Sequence, residues 1–192
     1  MEEQNTKKGI DWKKYKKDGI EFFKFGIIAL LIVLPIRLFV AQPFIVSGDS
    51  MYPTFHNGQY LIIDELSYHL RAPKRGEVIV FHYPRETKKY LIKRIIGLPG
   101  EKVIINNGKV SIKGTDGNEQ TLDESYINEP FNYSGTFDLN EGEYFTMGDN
   151  RNRSSDSRAW GVLPKKDIVG RTFLRLFPFS DATYLPGKIE NK

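Results

Sequence analysis

The first 24 residues are polar and rich in lysine, and from Phe25 to Phe44 the only charge is Arg37. About 20 helical residues rise roughly 30 Å, the thickness of a bilayer's hydrocarbon core, so this run predicts one membrane-spanning helix at 25–44. Lys7, Lys8, Lys13, Lys14, Lys16, Lys17 and Lys24 flank its N-terminal end. The positive-inside rule then places residues 1–24 in the cytoplasm and everything after Phe44 outside, a single-pass arrangement in the cell membrane. Arg37, near the outer end, reaches back to the headgroups, and Pro35 kinks the helix. Two other readings compete for the run. A cleaved secretory signal would cut after Val40-Ala41, but Gln42-Pro43 follows and proline is unfavourable beside a scissile bond. A buried core helix would also be apolar, though Pro35 and Arg37 interrupt it.

Past Phe44 the pattern becomes short and extended. Tyr60–Ile63, Val78–Phe81, Tyr90–Ile96, Val103–Ile105, Val110–Ile112, Tyr144–Met147 and Ile168–Phe177 are strand-like and separated by Gly, Pro and Asn. Asn107-Gly108 between two such runs predicts a tight hairpin. Residues 113–142, rich in Gly, Asn, Glu and Ser, read as a small insertion or long loop. The fold class that results is mainly β after an N-terminal transmembrane helix. Its divisions are a tail at 1–24, the span at 25–44, an external β domain at 45–180 and a C-terminal tail at 181–192.

At 192 residues the chain has room for one compact domain, or one domain with a small appendage, and shows no internal repeat. The net charge of +4 hints at nucleic acid, but the lysines concentrate before the apolar run and the rest is mixed, so no nucleic-acid partner is expected. With no cysteine, disulfides, thiolate metal sites and cysteine nucleophiles are excluded. His56, His69 and His82 do not form a metal-ligand spacing, and no metal or other cofactor is expected.

The candidate chemistry lies in three segments. Ser47-Gly48-Asp49-Ser50-Met51-Tyr52-Pro53-Thr54 is a turn-forming stretch in which Gly48 permits close backbone approach. Taken alone it is a polar loop, because a serine needs a base before it attacks a carbonyl. Lys93 and Arg94 lie inside a strand-like run, and alternation sets Lys93 with Leu91 and Ile95 on one face and Arg94 with Ile92 and Ile96 on the other. One of the two cations therefore faces the interior. Arginine does not act as a base, whereas a buried lysine does once its pKa falls by about 3 units, roughly 4 kcal/mol. The plainer reading is an edge-strand lysine with its head in water. The third segment, Gly148 to Gly161, is dense in small and charged residues, with Asp156 and Arg158 as a paired brace and a serine hydroxyl able to orient a neutral amine. A solvated loop is its plainer reading; the calcium-loop pattern does not fit. A Ser-His-Asp triad built from Ser50, His82 and Asp149 also remains open.

Together, Ser47–Thr54, the run Lys-Arg-Ile-Ile-Gly-Leu-Pro-Gly-Glu from Lys93, and Gly-Asp-Asn-Arg with Asp-Ser-Arg-Ala-Trp-Gly resemble the motif boxes of the bacterial type I signal peptidases. The resemblance runs from the apolar segment to about Ser180 and points to the compact form of that family. It implies a signal-peptidase-type β catalytic domain with an apolar surface resting on the lipid bilayer. The implied activity is a membrane-anchored serine endopeptidase that cuts signal peptides from exported preproteins after small residues, near the secretion translocon. By motif, Ser50 is the nucleophile, Lys93 the general base, Ser154 the residue that orients the Lys93 amine, and Asp156 with Arg158 the loop brace. Some relatives carry a serine two positions before the nucleophile, where its hydroxyl helps bind the oxyanion. Here that position is Gly48, so the oxyanion would rest on the Ser50 N–H and a backbone group or water near Gly48. Three rivals remain: a self-cleaving repressor, which would need a DNA-binding module; a non-catalytic membrane-anchored β module that binds a protein partner; and a specialised Ser/Lys peptidase with a narrow substrate.

Overall fold

The computed structural model describes residues 12–39 and 41–189. They divide into two compact units at Phe39. The first holds a single helix, α1 (Trp12–Phe39). Its described large apolar side chains are exposed, Phe22 at 79% and Leu31 at 66% among them. Among the described residues no helix is long and apolar enough to cross a membrane. The expected N-terminal tail lies outside the described residues up to residue 11, as do the side chains of Pro35 and Arg37.

The helix stops before the end of the span read from sequence, because Ala41–Ile45 form a strand, β1. β1 pairs antiparallel with β2 (Tyr60–Asp64), and Val46 just after it is buried against Met51, Phe55 and Leu61. Val46 is thus part of a β core and Phe44 packs against it, while Ile45 stays 66% exposed. Pro43 has no N–H to give a ladder, and it is tolerated here because β1 is an outer strand.

The second unit is mainly β. After β2 come a short helix α2 (Ser67–Leu70), β3 (Val78–Tyr83), β4 (Glu86–Gly97), β5 (Lys102–Asn106), β6 (Lys109–Lys113), β7 (Glu119–Thr121), β8 (Gly135–Asp138) and β9 (Glu143–Met147). A second short helix, α3 (Ser157–Trp160), precedes β10 (Leu163–Pro164), β11 (Ile168–Phe177) and β12 (Thr183–Tyr184). The larger sheet runs β1-β2-β11-β3-β4-β9-β10, with β12 added on β11, and the smaller runs β7-β6-β5-β8. All the pairings are antiparallel.

β3 reads as an unbroken apolar run because both of its faces are covered. Val78 and Val80 pack with Phe55 and Ile63, while Ile79 and Phe81 pack with Ile95, Tyr144 and Trp160. The Asn107-Gly108 hairpin forms between β5 and β6 with positive φ at both residues, 45° and 81°. A methyl on Gly108 would overlap the Phe131 carbonyl, so only glycine fits that turn. Two expectations are corrected here. Residues 113–142 are not a mere insertion: they supply β7 and β8, and Phe131 and Leu139 join Val103, Ile105, Val110 and Phe145 in a core beneath the smaller sheet. Residues 181–189 are not a loose tail either, since the Leu185 N–H donates to Phe173 O at 2.8 Å and Thr172 Oγ1 donates to Pro186 O at 3.1 Å. Residues 190–192 lie outside the described residues.

The pairing that matters most for the site is that of β4. β9 joins it only from Arg94 to Gly97, so among the described residues the part of β4 leading up to Lys93 keeps one edge unpaired. β1 and β4 both run toward the same place, β1 into the turn that carries Ser50 and β4 into Lys93.

Candidate active site

Ser50 sits in a turn held from both sides. Met51 and Phe55 are buried in the core, the Tyr52 N–H donates to Asp49 O at 3.1 Å and the Phe55 N–H to Met51 O at 2.9 Å. Gly48 has φ of +88°, a conformation that side chains rarely adopt. Lys93 is only 2% exposed, and its Nζ lies 2.7 Å from Ser50 Oγ and 2.9 Å from Ile92 O. Burial pushes the amine down from an ordinary 10.5 to about 8, against the carboxylates of Asp156 and Asp149, which pull it back up; Lys89 adds a small downward push. A neutral amine at that distance can take the serine proton, whereas a charged one only donates.

The loop after β9 closes the site. The Asn150 N–H donates to Ser50 O at 3.1 Å, and Asn150 Nδ2 donates to Asp49 O at 3.0 Å. Asp156 is fully buried and caps α3, accepting from the backbone N–H groups of Gly148 at 3.0 Å and Arg158 at 3.2 Å. Arg158 grips the same carboxylate through Nε and Nη2, both at 2.8 Å, and its Nη2 also donates to Arg151 O at 2.7 Å. Gly148 has no room for a side chain: a methyl would overlap both Ser154 Oγ and Ser50 O. Ser154 therefore lies against Gly148, near the Ser50 carbonyl. Ser154 Oγ is buried with no hydrogen-bond partner, so the bond to the Lys93 amine expected from sequence is not formed. The amine is instead directed at Ser50 Oγ and Ile92 O.

Both cations of the Lys93-Arg94 run are buried, where sequence reasoning placed only one inside. Arg94 is 1% exposed and holds Asp149 through Nε at 2.8 Å and Nη2 at 2.6 Å; its Nη1 donates to Gly76 O at 2.8 Å and Gly187 O at 2.5 Å. Thr54 Oγ1 donates to the same carboxylate, and the Tyr126 ring stacks 4.1 Å from the Arg94 guanidinium. Arg151 pairs with Glu124. Sequence reasoning missed Thr54, Glu124 and Tyr126; for the last two no signal was available, because they come from the polar 113–142 segment. The same bonds dispose of the alternative triad, since Asp149 is held by Arg94 and His82 Nδ1 faces Thr87 O at 2.7 Å.

Residues 19–177 match the family model described as signal peptidase, peptidase S26. The chain belongs to that family. It is 41% identical over 162 residues to a probable signal peptidase I-1 of Synechocystis, covering 80% of each chain. It is 36% identical to signal peptidase I T of Bacillus subtilis over 94% of this chain and 96% of that one. A crystal structure of a signal peptidase I from Enterococcus faecalis V583 is 32% identical, with a TM-score of 0.44 over 53% of this chain and 97% of that one. This member of the signal peptidases is therefore a hydrolase of the serine endopeptidase type. At the position before Asp49 and Ser50, the Gly48 N–H is already given to Asn57 Oδ1 at 2.9 Å and so is not free for an oxyanion. Among the described residues nothing accepts from the Ser50 N–H.

Proposed function

We propose that the protein is a membrane-anchored peptidase that releases exported preproteins from their signal peptides, cutting after small residues with Ser50 as nucleophile and Lys93 as base. The observation that carries this reading is the 2.7 Å approach of a buried lysine amine to a serine hydroxyl. Neutral Lys93 takes the Ser50 proton as Oγ bonds to the scissile carbonyl carbon. The ammonium then gives that proton to the departing amine, leaving an ester on Ser50. Lys93 next removes a proton from water, which attacks the ester and restores the serine. In this reading the Ser50 N–H would stabilise the oxyanion, and the Ser154 hydroxyl, which has no partner in the resting site, would hold the amine as it turns between these steps.

The precursor would lie extended against the unpaired edge of β4, gaining affinity from backbone pairing, with shallow pockets rejecting bulky side chains near the cut. Anchoring is supported by the exposed apolar side chains of α1 and by Phe177, Phe179 and Tyr184, which are 53–83% exposed near the end of β11. In this arrangement the N-terminus is cytoplasmic, the β unit sits on the outer face beside the translocon, and precursor and enzyme share one bilayer, which raises their effective concentration. The test is cleavage, by purified protein in detergent, of a preprotein with small residues before its cut. Ser50→Ala should abolish it with the fold intact; retained processing rules out the nucleophile.

A further inference from the structure

Beside Ser50 lies a cleft of about 410 Å³ whose walls include Asp49, Tyr52, His56, Glu129, Asn150 and Arg153. It is built directly on the nucleophile's backbone, because Asn150 bonds both Ser50 O and Asp49 O. Tyr52 and His56 meet edge to face at 5.2 Å to form one wall. The lining also includes Glu129, from the 113–142 segment.

Its position follows from strand pairing. The unpaired edge of β4 ends at Lys93, because β9 pairs from Arg94 onward, and β9 leads straight into the loop holding Asn150 and Arg153. A peptide that follows this edge and continues past Ser50 runs onto that loop. The two flanks of the nucleophile also differ in character. Phe44, Ile45, Tyr90 and Ile92 lie on the strands leading up to it, suiting an apolar signal segment, whereas the cleft is polar. Of the charges at the cleft, Asp149 and Arg151 are already paired with Arg94 and Glu124. Asp49, Glu129 and Arg153 are exposed and join no ion pair among the described residues. Two carboxylates and one guanidinium thus line the cleft outside any ion pair among the described residues.

We propose that this cleft seats the first residues of the mature chain, on the downstream side of the scissile bond, and that Asp49 and Glu129 favour lysine over glutamate there. The inference rests on the peptidase reading and adds to it a second determinant of cleavage, distinct from the small residues before the cut. It also gives the 113–142 segment a part in substrate selection.

The experiment uses full-length protein in detergent and three peptides identical up to the cleavage site, carrying Lys, Ser or Glu at the second and third positions after it. At low salt, kcat/KM should fall in the order Lys, Ser, Glu, with about a 2- to 5-fold span, the size of exposed charge pairs. Raising the salt to about 0.5 M should compress that span, because the groups are solvent-exposed. Glu129→Lys should abolish or invert the order, and Arg153→Glu should widen it. An unchanged Lys-to-Glu ratio in both variants, or shifts in the same direction, overturns the proposal. Loss of all cleavage in Ser50→Ala, measured alongside, shows that the peptidase reading stands apart from that result. No cleavage of any peptide by the unaltered protein would overturn both.

Discussion

Replacing Lys93 with methionine should make the protein more stable at neutral pH while removing its activity. In the unfolded chain the lysine keeps its proton to about pH 10.4; in the folded chain burial makes it release the proton near 8. Between those values the unfolded chain binds more protons, so the stability of the native protein rises with pH across that window. Below pH 8 the folded state carries the full penalty of a buried ammonium, about 3 kcal/mol. Methionine fills similar space without charge but forfeits the bonds to Ser50 Oγ and Ile92 O, worth about 1 kcal/mol each, so a net gain of about 1 kcal/mol is expected at pH 7. For a unit of this size that is a rise in Tm of ~2–4 °C. Thermal unfolding followed by circular dichroism at pH 6, 7, 9 and 10 reads this directly. The gain should be largest at pH 6–7 and should shrink steadily toward pH 10. A Lys93→Met protein that is less stable at every pH, or a difference that does not narrow between pH 7 and 10, refutes the buried-amine argument.

Other substitutions probe the scaffold of the site. Gly148→Ala drives a methyl into Ser154 Oγ and the Ser50 carbonyl, so it should displace the nucleophile and lower kcat by about 100-fold, measured on a preprotein substrate. Asp149→Ala leaves the Arg94 guanidinium buried without its carboxylate and should destabilise the fold by about 3–5 kcal/mol in urea unfolding, far more than the loss of an exposed pair such as Lys102–Asp138. Ser154→Ala removes a hydroxyl that has no partner in the resting site, so stability should hold within about 0.5 kcal/mol while kcat falls; a loss above about 1 kcal/mol would show that the hydroxyl is bonded after all.

The strands that carry the site were legible because they are buried on one or both faces. The apolar runs at Val78 and Ile168 begin β3 and β11 at those residues, and Asn107-Gly108 turns as its composition requires. What stayed hidden was structure without an apolar signal. β7 is wholly polar and exposed, β10 and β12 are two residues long, and β1 was absorbed into the apolar run because strand and span share the same residue types. The convergence of Ser50 and Lys93 could be inferred from the motifs together. The clamp of Arg94, Asp149, Thr54 and Tyr126 could not, since it joins four separate segments through side chains that each look like surface residues in sequence.

The pH dependence of kcat/KM tests most directly whether Lys93 serves Ser50 as a neutral base. The account predicts a rate that rises about tenfold per pH unit below 8 and levels off above it, following deprotonation of the buried amine. A rate still climbing at pH 10, or one independent of pH between 6 and 9, contradicts it.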